Sequence, residues 1–139
     1  MGSAVQVRPN PVRSVPNAAV PAATCSLHGL AATVSRPRQV TVVEVSGEVD
    51  LLTAPGLAEC LGRCLAEVAP VVVVVDLRRV DFLGASGLSV LVEAHLRAQA
   101  LHSTVRVVAN TRVVRRALTV TGLDRTLAVY SALEPAVNG

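Results

Sequence analysis

The apolar positions of the chain fall into short runs of two different periods, separated by turn residues. Leu27–Val34 and Val40–Val45 are apolar stretches of strand length with Arg36-Pro37-Arg38 between them. They predict a weak edge strand turning back on a stronger one. After Gly47-Glu48-Val49-Asp50 the period changes. Leu57, Cys60, Leu61, Cys64, Leu65 and Val68 recur at i, i+3, i+4 and i+7, which predicts a helix starting near Thr53 or Pro55 and stopping at Pro70. Pro55 suits the first turn, where a missing N–H is no loss.

The unbroken run Val71–Val75 reads as a strand covered on both faces and ended by Asp76. A second helix is expected from about Ser86, with Leu88, Leu91, Val92, His95 and Leu96 on one face. Thr104–Ala109 is a further strand. Thr111–Leu123 is a third helix with Val113, Val114, Ala117, Leu118 and Val120 as its apolar positions, closed by Gly122 as a left-handed cap. Leu127–Tyr130 is a short last strand. Strand and helix alternate after a leading β-hairpin. That order predicts an α/β fold with a mixed central sheet of four to five strands, about three to four helices and right-handed crossovers.

Residues 1–24 contain Pro9, Pro11, Pro16 and Pro21 and hold neither period, so they read as a disordered tail. One domain is expected over 25–135, followed by a short C-terminal tail at 136–139. The 139 residues are 51% hydrophobic and 17% charged, enough apolar material for a single core. Valine alone accounts for 28 residues, in keeping with a buried sheet.

Composition then excludes several chemistries. All 13 basic residues are Arg, so a phosphate-loop Lys, a Schiff base and a kinase Lys are absent. Phe82 and Tyr130 are the only aromatics, too few for stacking on nucleic-acid bases. The net charge of +3 is also misleading: residues 1–38 carry +4 with no acid, which leaves the remainder at −1. Direct nucleic-acid binding is therefore not expected. No apolar run approaches membrane-spanning length and no secretory signal opens the chain, so a cytoplasmic protein is expected. Cys25, Cys60 and Cys64 are too few and too badly spaced for a disulfide framework, and no further ligands sit near them for a metal. They read as reduced core residues.

The informative segment is Val80–Leu91, at the junction of the central strand and the second helix. Gly84 and Gly87 flank Ser86 there and keep its hydroxyl approachable. Ser86 has two readings on local physics. It caps the helix, or it accepts a phosphate, which helix N-terminal N–H groups and the macrodipole would tolerate.

Two motifs, with a third in support, give the segment a family resemblance. Gly47-Glu48-Val49-Asp50 matches a G-E-(L/V)-D turn before a first helix. Leu83-Gly84-Ala85-Ser86-Gly87-Leu88 matches a D-S/A/T-S-G-L segment at the start of a second, and Gly122-Leu123 matches a late G-L pair. In this order and spacing, residues 27–133 resemble a STAS domain of the anti-sigma factor antagonist family. The resemblance implies a STAS-like fold and a regulatory protein without cofactor or metal, which binds an anti-sigma factor and so frees a sigma factor. It implies that the anti-sigma factor is also a serine kinase acting on Ser86, and that a phosphatase acting on phospho-Ser86 restores binding. It further maps partner contact onto Asp50, Gly84, Ala85, Gly87 and Leu88. Ser89 is the lesser phosphoacceptor candidate. Phosphorylated members of the family usually carry Asp two residues before the Ser, where this chain has Gly84; Asp81 is five residues away and is no positional substitute.

An enzyme reading finds no constellation to rest on. His28, His95 and His102 are scattered, and Gly84-Ala85-Ser86-Gly87-Leu88 fails the G-x-S-x-G pattern because Leu88 stands where the last Gly belongs. Asp76 after the valine run invites comparison with a phospho-accepting receiver, but the Lys such a site needs is missing; Asp76 is expected to meet a loop or Arg78. The rival expectation is a STAS-type binding module in another signalling or transport assembly, not controlled by phosphorylation.

Overall fold

The computed structural model describes residues 23–27, 30–37, 40–66 and 70–138. Residues 1–22, most of the expected tail, and His28 lie outside the described residues.

The strands are β1 (Ala23–Leu27), β2 (Leu30–Ser35), β3 (Thr41–Val49), β4 (Val72–Leu83), β5 (Thr104–Val108) and β6 (Ala128–Tyr130). The helices are α1 (Ala54–Leu65), α2 (Ala85–Ala100), α3 (Arg112–Val120), α4 (Leu123–Thr126) and α5 (Leu133–Asn138). One sheet holds all six strands in chain order. β1–β2 and β2–β3 pair antiparallel, while β3–β4, β4–β5 and β5–β6 pair parallel. The mixed α/β architecture and its leading hairpin are therefore as expected. The sheet has one strand more because Leu27–Val34 is not a single strand. Its start belongs to β1, which turns into β2.

Strands adjacent in both sequence and space, joined by helical crossovers, put α1, α2 and α3 over one face. Their buried residues (Leu57, Leu61, Leu91, Val114 and Leu118 among them) share a core with Val43, Val45, Val73, Val75, Leu77 and Val107. The opposite face has a smaller core in which Ala136 of α5 packs with Val40, Val42, Val74 and Val108. β4 is thus covered on both sides where it crosses the middle, the reason for its run of valines. Arg106 Nη1 donates to the Ala136 carbonyl at 2.8 Å and fastens α5 to β5. α5 continues past residue 135, where the sequence suggested that the domain ends.

Asp76 does not end the strand. It pairs in register with Glu44 and Val108 while β4 runs on to Leu83. Its carboxylate is tolerated at 1% exposure because Arg78, two residues on and on the same side, closes a fork around it. Nε donates to Oδ1 at 2.9 Å and Nη2 to Oδ2 at 2.8 Å. This hydrogen bonding raises the Arg78 guanidinium above its ordinary pKa against the opposing effect of burial.

Two helix faces also differ from expectation. In α2 the buried residues are Gly87, Val90, Leu91, Ala94 and Ala98, so of the expected stripe only Leu91 is fully buried, and Leu96 faces solvent. His95 and Val92 are half-buried. Gly87, Ala94 and Ala98 supply much of this inner face. A reading that counts only large apolar side chains misses it. In α3 the buried pair is Val114 and Leu118, with Val113 and Val120 exposed. Gly122 ends α3 with φ 78°, as expected of a left-handed cap. Cys60 and Cys64 are buried thiols on α1. Among the described residues no group of three or more His, Cys, Asp or Glu could hold a metal, and no helix is long and apolar enough to cross a membrane.

Candidate functional site

Parallel neighbours β3 and β4 end side by side, with Val49 in register with Leu83. Each hands over to a helix there. β3 reaches this point through two register irregularities around Gly47, whose φ of 105° suits glycine. The two exits are stitched together by Gly84, whose N–H donates to the Val49 carbonyl at 2.9 Å. Every residue expected at the site lies in one of these two exits.

The first exit is the turn Asp50–Thr53. Asp50 Oδ1 accepts from the N–H of Leu52 at 3.0 Å and of Thr53 at 3.1 Å. This is the local bonding by which a short carboxylate builds a turn from its own backbone. Thr53, itself buried, donates its hydroxyl to the Glu48 carbonyl at 2.8 Å and accepts from the Asp50 N–H at 2.9 Å. With its polar groups so occupied, the turn holds Leu51 and Leu52 outward at 77% and 72% exposure. Phe82, in register with Glu48 on the adjoining strand, is 48% exposed.

The second exit is the start of α2. Gly84 is its N-cap in extended conformation (φ −89°, ψ −178°), and no side chain caps the helix. Ser86 is therefore not the cap that the residue type suggested. It occupies the second position of the helix, half-buried. The first intrahelical bond runs from the Leu88 N–H to the Gly84 carbonyl at 3.0 Å. The N–H groups of residues 85–87 thus belong to the unpaired first turn, whose partial positive charge surrounds the Ser86 side chain.

Gly87 is dictated by packing. A Cβ there would lie 2.6 Å from Val49 Cγ1 and 2.7 Å from Leu83 Cδ1, so the helix rests directly on the two strand ends. At Gly84 a Cβ would lie 3.0 Å from the Phe82 ring, an adjustable neighbour. Ala85 is exposed, Leu88 half-buried and Ser89 exposed. The site is a surface and not a cavity: a serine on a helix end, flanked by a rigid turn and three exposed apolar side chains. Exposed apolar groups clustered in this way mark interaction surfaces. Leu51, Leu52 and Phe82 were not among the residues singled out from sequence. An aperiodic Leu-Leu pair between an Asp and a Thr three positions later was the available signal.

Comparison with known proteins places the fold in a family. The STAS domain family model matches residues 31–136. The anti-sigma-F factor antagonist RsfB of Mycobacterium tuberculosis is 37% identical over 109 residues, covering 77% of this chain and 86% of that protein. The crystal structure of an anti-sigma factor antagonist from Mycobacterium paratuberculosis superposes with a TM-score of 0.73 at 36% identity, covering 78% of this chain and 92% of that one. A STAS domain protein from Planctomyces limnophilus, 22% identical, shares the fold with a TM-score of 0.69 over 77% of this chain and 94% of its own.

Proposed function

The chain belongs to the STAS-domain family, and from that premise we propose that it is an anti-sigma factor antagonist, acting in the cytoplasm by binding an anti-sigma factor and so releasing a sigma factor. Antagonists of this family work by binding and not by catalysis. In this reading the contact surface is the pair of strand exits, with Gly84, Ala85, Ser86, Gly87 and Leu88 on one side and the Asp50 turn on the other. Ser86 is the switch. The partner anti-sigma factor, itself a serine kinase, phosphorylates it, and a phosphatase removes the phosphate.

The observation that carries this reading is the position of Ser86 on an uncapped helix end. A phosphate there adds roughly 1.5–2 negative charges where unpaired N–H groups receive them, so the domain stays folded while its binding surface gains negative charge. The test is incubation with the cognate anti-sigma factor and ATP followed by intact-mass measurement. Addition of one phosphate, absent from Ser86→Ala, supports the switch. Tight stoichiometric binding with no added mass would favour the rival form, a STAS-type module controlled in some other way.

A further inference from the structure

The Asp50 turn carries a finer distinction than partner contact. Resting on the antagonist reading, we infer that Asp50 is a positioning residue whose carboxylate works inward, and that Leu51 and Leu52 are the side chains the anti-sigma factor grips. Asp50 Oδ1 takes both backbone N–H groups that the turn presents to it, from Leu52 and Thr53, and lies 3.3 Å from the Thr53 hydroxyl. The Asp50 carbonyl accepts from the Ala54 N–H at 2.8 Å, and Thr53 ties the turn back to the Glu48 carbonyl. The turn is therefore fixed at both ends. Such a lock opposes folding the two leucines back onto the core.

The occupant follows from where the leucines stand. They protrude one strand away from the Ser86 helix end, on the exit that the Gly84–Val49 hydrogen bond joins to it, about 4.8 Å between strand axes. A partner that covers Ser86 reaches Leu51 and Leu52 in the same contact. It must offer an apolar depression there, because aliphatic side chains at the centre of an interface contribute only when water is excluded from them. The charge of Asp50 is not what such a depression reads. Asn supplies the same Oδ1 acceptor, so the proposal separates acceptor from charge.

The experiment is titration of the full chain and three variants against each anti-sigma factor encoded in the same genome, with a thermal melt of every variant. Leu51→Ser combined with Leu52→Ser should weaken binding by more than about tenfold with an unchanged melting midpoint. Asp50→Asn should bind within about fivefold of wild type, because the turn keeps its acceptor and only a charge that the partner does not read is lost. Asp50→Ala should lose binding together with a lowered midpoint. Binding by the doubly substituted leucine variant as tight as wild type overturns the inference. So does loss of binding in Asp50→Asn at an unchanged midpoint, which would make the carboxylate charge itself the contact. Failure of the wild-type chain to bind any of these anti-sigma factors would instead overturn the antagonist reading on which the inference rests.

Discussion

A Cβ on Gly87 would lie 2.6 Å from Val49 Cγ1, so the helix that carries Ser86 sits in direct contact with the end of the neighbouring strand. The second obstacle, Leu83 Cδ1 at 2.7 Å, is also buried in the core. Both side chains are buried.

Gly87→Ala should therefore destabilise the domain by about 1–3 kcal/mol, the usual consequence of overpacking a filled site, and should shift the start of α2 away from the sheet. Gly84→Ala, whose new methyl presses on the half-exposed Phe82 ring and only touches the Val49 carbonyl oxygen at 3.6 Å, should cost less than about 1 kcal/mol. Urea unfolding of the two variants side by side checks the contrast. Equal destabilisation would mean that α2 does not rest on Val49 as described.

The fork between Arg78 and Asp76 gives a second contrast. Arg78→Ala leaves a carboxylate buried at 1% exposure without its bidentate partner, and should cost about 1–3 kcal/mol. Arg79→Ala removes a more exposed guanidinium 3.5 Å from Glu44 and should change stability by no more than about 1 kcal/mol. The melting midpoints of the two single variants decide it.

Much of this architecture was legible because the determining forces are local and repetitive. The 3.6-residue period from Leu57 to Leu65, the valine run of β4 and the left-handed Gly122 each follow from one rule applied over a short window. What was not legible depends on contacts distant in sequence. Asp76 reads as a strand end until Arg78 is seen closing on it. The inner face of α2 includes Gly87, Ala94 and Ala98, and Gly87 matters for how closely the helix rests on Val49 and Leu83 and not for its own hydrophobicity. Ser86 reads as a cap by residue type, yet that role falls to Gly84, whose N–H is bound to the Val49 carbonyl of another strand. Leu51 and Leu52 carry no period, and their exposure follows from the inward bonding of Asp50.

Cys60 and Cys64 share the buried face of α1. Replacing either with Ala should cost about 1 kcal/mol through lost packing and leave partner affinity unchanged. Affinity measured under reducing and oxidising conditions checks the second half: a reversible loss on oxidation would assign these thiols a regulatory role.

The measurement that bears most directly on the switch is calorimetric titration of the cognate anti-sigma factor with wild type, Ser86→Ala and Ser86→Asp. Since α2 has no side-chain cap, Ser86→Ala should be close to wild type in both stability and affinity. Ser86→Asp places an anion where the helix dipole favours it by about 0.3–1 kcal/mol, so its circular dichroism and melting midpoint should match or exceed wild type. Its affinity should nevertheless fall by about tenfold or more, or at least about 1.4 kcal/mol, because the new charge must lose its water inside the interface without a partner. A folded Ser86→Asp variant that binds as tightly as wild type would contradict the switch.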